Sequence, residues 1–343
     1  MSTNQTISAT KYINACDDKY EITITSFFDL GGQNKIYRGV LKEKGVEGGL
    51  QMEVILKTAQ IDKNQRFQAY LTMEQQIYDK LKNNKVEGVV KSHGIATVKN
   101  PFNNNAEEQH MVLEYCQYGS LHALSIFTKA YDEPTAFVVM RQIANALRNV
   151  HKHHILHLDL KESNILINFN KENQFYPECG TLPIEFKLAD WGVSRDLSAL
   201  TKTSELIVYH RGTPRYMAPE QSVQKRVEDP YRVEVYSLGI ILFRMIFKVY
   251  PFATSSGNSS GKNSEDPEAR APDFLKRFLV SSKNVNKVQI SPELEELLTR
   301  MLAYDQRKRC TLDEVINSRW FQMMSYKLKN DKAVLEKTHK SLF

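Results

Sequence analysis

The sequence predicts an α+β protein of two parts, a small β-rich lobe followed by a larger, mainly helical one. Three observations predict it. Short β-type runs fill the stretch 21–57, apolar residues recur at helical intervals from Thr135 onward, and 343 residues are enough for two lobes with a sizeable core.

Taken in order, residues 1–19 are polar and read as a flexible arm whose start lacks the apolar core of a signal peptide. β-type segments follow at 21–27, 35–41 and 52–57, and Gly45, Gly48 and Gly49 mark a hairpin turn between the last two. The run 66–82 has helical spacing, with Tyr70, Leu71, Ile77, Tyr78 and Leu81 on one side. The polar stretch 100–108 reads as a strand-connecting loop. Pro134 suits a first helical turn, and Phe137, Met140, Ala144, Leu147 and Val150 follow at helical intervals.

The apolar run 236–247 is too short to span a bilayer and carries Arg244, so a buried core helix explains it. Residues 254–269 are rich in Ser, Gly, Asn and charge and read as a disordered insertion. Ser291-Pro292 opens a helix with Leu294, Leu297, Leu298, Met301 and Leu302 facing inward. Thr311 with Glu314 predicts a capping box. The basic stretch 327–340 is read as a solvated end, with a docking helix as the alternative.

Composition is that of a soluble globular protein, 41% hydrophobic and 25% charged. A net charge of +6, from 46 basic and 40 acidic side chains, is read as a solvated surface rather than a nucleic-acid or membrane footprint. Cys16, Cys116, Cys179 and Cys310 have neither metal-type spacing nor the density of a disulfide framework. The expected location is cytoplasmic or nuclear, with no membrane span and no nucleic-acid partner.

The richest stretch is His157-Leu158-Asp159-Leu160-Lys161-Glu162-Ser163-Asn164, followed by the apolar Ile165-Leu166-Ile167. An isolated Asp-x-Lys-x-x-Asn is a polar surface turn. Here Phe186-Lys187-Leu188-Ala189 leads into Asp190-Trp191-Gly192, and Gly212-Thr213-Pro214-Arg215-Tyr216-Met217-Ala218-Pro219-Glu220 comes later. In that order the motifs resemble the catalytic loop, the metal-binding triplet and the end of the activation segment of eukaryotic protein kinases of the Ser/Thr type. The resemblance covers about 20–322. It implies a bilobal protein-kinase-like fold, with an N-lobe at about 20–116 and a C-lobe at about 117–322, and it leaves 323–343 as a basic tail.

Phosphoryl transfer needs a hydroxyl aimed in line at the γ-phosphorus and cations around the transferring oxygens. The resemblance implies ATP, Mg²⁺ and a protein substrate, with Asp159 accepting the substrate hydroxyl's proton and Lys161 contacting the γ-phosphate. It implies Asn164 and Asp190 as Mg²⁺ ligands. Lys57, in Glu53-Val54-Ile55-Leu56-Lys57, matches the phosphate-contacting lysine, and Glu74 its partner. In Met111-Val112-Leu113-Glu114-Tyr115-Cys116, Leu113 matches the residue beside adenine, and the backbone of Glu114 and Cys116 the part that bonds the base. Gly31, Ile36, Ile55 and Leu166 complete the cofactor-binding set. Thr213 is expected to link its segment to Asp159 and Lys161, and Glu220 to pair with Arg309.

Several positions depart from the family pattern. Around Asp29-Leu30-Gly31-Gly32-Gln33-Asn34, only Gly31 falls on a glycine position counted back from Ile36-Tyr37. Either Asn34 supplies the turn and Asp29 weakens nucleotide binding, or the loop is shortened and its register differs. Ile55 is bulkier than the usual Ala. Leu158 replaces the arginine that gathers a phosphorylated activation loop, so phosphorylation of Thr201, Thr203 or Ser204 is not expected to be required strictly. Trp191 replaces Phe, Glu234 an Asp that braces the catalytic loop, and Glu162 a Pro. Ser163, where basic-directed kinases often carry Glu, argues against a strong preference for upstream arginine. About ten residues near 170–181 enlarge the next loop. The resulting expectation is an ATP- and Mg²⁺-dependent Ser/Thr kinase, with a pseudokinase scaffold as the alternative and a small-molecule kinase as a third reading.

Overall fold

Apolar–polar alternation between residues 20 and 114 builds an antiparallel sheet in the computed structural model, which describes residues 19–31, 34–59, 66–169, 183–198, 211–222, 227–252, 273–281, 283–284 and 287–342. The chain divides into two units, Met1–Lys85 with Val89–Gln117, and Val86–Gly88 with Tyr118–Phe343.

The first unit holds β1 (Tyr20–Gly31), β2 (Asn34–Glu43), β3 (Gln51–Ala59), β4 (Ser92–Asn100) and β5 (Ala106–Glu114), in the sheet order β1-β2-β3-β5-β4. Ile24, Tyr37, Leu41, Val54, Leu56, Val98 and Val112 close one face as its core. Gly45 and Gly48 take positive φ in the β2–β3 turn, a conformation that lacks steric cost only without a Cβ. Helix α1 (Arg66–Asn83) buries Leu71, Ile77, Tyr78 and Leu81 along one stripe. The side chain of Tyr70 lies outside the described residues.

The predicted loop at 100–108 is corrected. Strands run up to Asn100 and resume at Ala106, leaving only 101–105 as the turn. Asn100 is fully buried and organises it. Its Oδ1 accepts from Phe102 N at 2.9 Å, its Nδ2 donates to Glu108 Oε2 at 2.7 Å, and its backbone O accepts from Asn103 N and Asn105 N.

The second unit is mainly helical and includes the short helices α2 (Leu121–Phe127), α4 (Pro219–Ser222) and α6 (Phe274–Val280). Asp132 caps α3 (Glu133–Lys152) by accepting from Thr135 N, Pro134 sits in the first turn, and Phe137, Met140, Ala144, Leu147 and Val150 are buried. Helix α5 (Pro230–Phe247) is buried almost all round, as a helix apolar on every side must be. It passes so close to α7 (Pro292–Met301) that a Cβ on Gly239 would stand 2.9 Å from Leu302 Cδ2. Short strands β6 (Ile155–Leu156), β7 (Ile165–Phe169), β8 (Ile184–Leu188) and β9 (Arg195–Asp196) pair β6 with β9 and β7 with β8. Thr311 and Glu314 form the capping box of α8 (Leu312–Ile316).

The reading of the basic end as solvated is also corrected. Helices α9 (Arg319–Asn330) and α10 (Lys332–Leu342) carry Leu328, Leu335 and Leu342 at seven-residue intervals, all buried, and α10 packs on α3. Lys337 pairs with Asp132 at 2.8 Å. Residues 1–18 of the predicted arm, the enlargement at 170–181, Thr201, Thr203, Ser204 and the insertion at 254–269 lie outside the described residues. No helix among the described residues is long and apolar enough to cross a membrane.

Candidate active site

The loop after β6 is held by buried polar contacts. Leu158 has φ 65, a left-handed conformation unfavourable for a γ-branched residue. It is held there because Leu158 N donates to Glu234 Oε1 at 2.6 Å, while Glu234 Oε2 lies 2.6 Å from His151 Nε2. Glu234, longer than Asp, thus joins α5 to both α3 and the loop. His157 is fully buried, with Nε2 2.9 Å from Ala189 O and Nδ1 accepting from Asp159 N at 3.3 Å. Those two partners specify the neutral tautomer with the proton on Nε2. The ring also packs on Trp191, 4.6 Å between centroids.

Asp159 is the centre of this network. Lys161 Nζ donates to Asp159 Oδ2 at 2.7 Å and to Thr213 Oγ1 at 2.9 Å, and Thr213 Oγ1 donates to Asp159 Oδ1 at 2.7 Å. Asn164 Nδ2 donates to Asp159 O at 2.9 Å and Oδ2 at 3.1 Å. Both carboxylate oxygens are engaged, so the plane of the group is set by three different side chains. Gly212 allows the approach: at φ +100, a Cβ there would stand 2.2 Å from Leu158 O.

Asp190 follows β8 with φ 66 and an exposed side chain. The preceding residue's amide, Ala189 N, donates to Asn164 O at 2.9 Å, which ties the two predicted metal ligands to one hydrogen-bonded link. With Nδ2 of Asn164 committed to Asp159, Oδ1 is the atom left to act as a ligand. Amide and carboxylate oxygens are hard donors that suit Mg²⁺, an ion that keeps waters and takes one or two protein ligands beside phosphate oxygens. Among the described residues no three His, Cys, Asp or Glu side chains gather as a metal cluster, so the protein offers this pair rather than a cage.

In the sheet unit, Lys57 Nζ on β3 lies 2.9 and 2.8 Å from the two carboxylate oxygens of Glu74 on α1, and both side chains are buried. Ile55 stands opposite Leu113 and Arg38 in the sheet. Ile55 and Ile36 are half-buried, and Leu113 and Cys116 buried. Glu114 N donates to Lys91 O at 2.9 Å, which commits the amide of Glu114 to the sheet unit's own structure. Gly31 pairs with Asn34 at the end of the β1–β2 ladder, and Gly32 and Gln33 between them lie outside the described residues. In the helical unit, Leu166 on β7 is half-buried and bridges Ser120.

Sequence reasoning missed one buried cluster. Glu162 Oε1 pairs with Arg244 Nη1 at 2.8 Å, and the Tyr216 hydroxyl bonds both Glu162 and Arg244. Burial first, and then the Glu162 carboxylate, push the Tyr216 phenol up. Burial is the largest influence on Arg244 and opposes its charge, but Glu162, Tyr216 and Tyr250 together outweigh it and raise the guanidinium. The signal was present as two anomalies: a charge inside an apolar run, and Glu162 where the family has Pro. A second buried pair joins Glu220 to Arg309, with Nη1 to Oε1 at 2.6 Å and Nη2 to Oε2 at 3.0 Å.

The family model described as a protein kinase domain matches residues 35–321. Similar curated proteins include calcium-dependent protein kinase 13 of Arabidopsis thaliana, 30% identical over 68% of this chain and 38% of its own. Serine/threonine-protein kinase ULK3 of Homo sapiens is 27% identical over 65% of this chain and 41% of its own. Serine/threonine-protein kinase cds1 of Schizosaccharomyces pombe is 28% identical over 74% and 48%. The match thus spans less than half the length of each of these relatives.

Proposed function

The chain belongs to the protein kinase domain family, and on that premise we propose that it transfers the γ-phosphoryl group of ATP to a serine or threonine hydroxyl of a protein, with Mg²⁺. The observation that carries the reading is the three-way network of Asp159, Lys161 and Thr213. Asp159 orients the substrate hydroxyl and accepts its proton as the oxygen attacks phosphorus. Lys161 places a cation beside that carboxylate, where charge develops on the transferring group. Thr213 joins the segment that presents the substrate to the base that acts on it. Lys161 and Thr213 are the Ser/Thr-type features of the motif set, and two of the relatives carry serine/threonine-protein kinase in their names.

Lys57, oriented by Glu74, contacts the phosphates. Asn164 Oδ1 and Asp190 would hold Mg²⁺, which would supply positive charge to neutralise the phosphate oxygens. The carbonyl of Glu114 and the amide of Cys116 bond adenine, with Gly31, Ile36, Ile55, Leu113 and Leu166 completing the nucleotide's surroundings. Leu158, in place of the loop-gathering arginine, supports activity that does not require activation-loop phosphorylation.

A scaffold that binds nucleotide weakly is the second reading. Ile55 opposite Leu113 favours it, because two bulky side chains face the same part of the sheet. Thermal melts with ATP, with and without Mg²⁺, together with radiolabel transfer from ATP to a generic protein substrate, separate the two. A kinase is stabilised by ATP and Mg²⁺ together and labels the substrate, before and after phosphatase treatment. Stabilisation without any labelling supports the scaffold.

A further inference from the structure

The catalytic loop and the segment after Gly212 are joined at two points. The first is Thr213, bonded to Asp159 and Lys161. The second is Tyr216, whose hydroxyl donates to Glu162 Oε2, on the residue that follows Lys161. The single turn between the two points is closed by Tyr216 N, which donates to Thr213 O at 2.9 Å. The contacts therefore form a ring, from Lys161 to Thr213, Tyr216 and Glu162 and back to Lys161 through one peptide bond. One attachment leaves a segment free to pivot. Two attachments with a closed turn between them fix its orientation as well as its distance.

Helix α5 backs the second point. Arg244 Nη1 lies 2.8 Å from Glu162 Oε1 and also donates to the Tyr216 hydroxyl, and Ser237 Oγ donates to Tyr216 O at 2.8 Å. Tyr216 is thus held by side chain and backbone on a helix that is buried almost all round. Glu162 and Tyr216 are buried too, so these bonds lie in a low dielectric that strengthens them. Burial and the Glu162 carboxylate keep the phenol protonated, and the neutral phenol is the form that donates to Glu162. The proposed chemistry gives these three side chains no contact with the reacting atoms. Yet a carboxylate, a phenol and a guanidinium are costly to bury where apolar residues would pack.

We propose that Glu162, Tyr216 and Arg244 are positioning residues: together they lock the substrate-presenting segment onto the catalytic loop and so hold Thr213 on Asp159 and Lys161. The proposal rests on the kinase reading above and deepens it. An arginine that gathers a phosphate orders such a segment only after modification, and Leu158 stands where that arginine is expected. Here a carboxylate built into the chain takes the place of the phosphate, and Arg244 takes the place of the missing arginine. The lock closes as soon as the chain folds. It also gives a reason for Glu162 where the family pattern has Pro, since a proline ring offers neither charge nor a side-chain acceptor at that point.

The test reads position and turnover separately, on the full chain. Hydrogen exchange followed by mass spectrometry measures local opening of the stretches 157–164 and 211–218. Tyr216→Phe should speed exchange in both by at least about tenfold, with α3 and the melting temperature near the parent's. It should also lower kcat for a serine peptide about 10- to 10²-fold, with KM for ATP unchanged. Glu162→Leu leaves Arg244 without its counterion and should melt early. Adding Arg244→Met should restore melting while exchange stays fast and transfer stays slow. Exchange at the parent's rate in Tyr216→Phe overturns the proposal, whether or not phosphate is transferred. So does a double variant that recovers stability, exchange and transfer together, which is how a purely structural pair behaves. A parent that transfers no radiolabel counts against the kinase reading alone, because exchange still judges the lock.

Discussion

Lys57–Glu74 and Arg309–Glu220 are both buried ion pairs, one in each unit, yet they are built for different ends. Arg309 spends its whole fork on fixed partners. Beyond Glu220, its Nε and Nη2 donate to Ala303 O at 3.2 and 3.0 Å, and its Nη1 donates to Arg232 O at 3.1 Å. Such a guanidinium ties the segment after Tyr216 to the late helices and has nothing left to give a ligand. Lys57 instead offers a point charge on a flexible stem, shared between the two oxygens of Glu74. An ammonium of that kind can turn part of its charge toward a phosphate without losing its carboxylate. Burial and pairing are alike in the two cases, so neither marks function. What differs is the group itself: a rigid fork bonded to backbone carbonyls at fixed angles, against a point charge on a flexible stem.

The largest expected effect is on the arginine pair. Glu220→Ala leaves Arg309 buried without its counterion and should cost about 3–5 kcal/mol in urea unfolding. Arg309→Lys should recover only part of that, because the fork's bonds to Ala303 and Arg232 are lost. A cost below about 1 kcal/mol for Glu220→Ala would mean the pair is not a structural tie.

His110 is the contrasting buried group without a bonded counterion. Both ring nitrogens lack hydrogen-bond partners among the described residues, and Nε2 lies 3.6 Å from Glu108 Oε2. Burial lowers its pKa from 6.5 to about 4, with Glu108 opposing. Between those values the unfolded chain binds a proton that the folded chain refuses. Stability is therefore lost as pH falls from about 6.5 toward 4, by up to about 3 kcal/mol. His110→Leu should flatten that part of the pH–stability curve, and an unchanged slope would remove His110 as its source.

On the lysine side, Lys57→Arg keeps the charge but not the shape. It should lower transfer about 10²-fold through misplaced phosphate contacts, with a smaller change in melting temperature than Glu220→Ala causes. Equal losses of activity and stability would erase the distinction between the two pairs. Gly212 offers a further test in the helical unit. Gly212→Ala forces a Cβ against Leu158 O at φ +100 and should cost about 1–3 kcal/mol, while loosening Thr213 from Asp159 and slowing transfer.

Much of this was legible in sequence where the signal is local. The spacing of Phe137, Met140, Ala144, Leu147 and Val150 and the Thr311–Glu314 box each specify a helix within a few residues. The facing of Lys57 and Glu74 was legible because the motif carries both partners. The turn at 101–105 was not, since a polar run says loop while the buried Asn100 side chain says strand end. The C-terminal helices were misread because lysines dominate the composition, although Leu328, Leu335 and Leu342 keep a heptad. Glu162 and Arg244 meet across a long sequence separation, and no local rule reports such a contact.

Asp159→Asn isolates the proposed base. It keeps the side chain's size, and the amide oxygen can still accept from Lys161 or Thr213, but the proton acceptor is gone. Radiolabel transfer from ATP by the purified variant should fall about 10²- to 10⁴-fold, while thermal stabilisation by ATP and Mg²⁺ stays near that of the parent. A variant that labels substrate as fast as the parent would contradict the assignment of Asp159, and with it the phosphoryl-transfer account of this network.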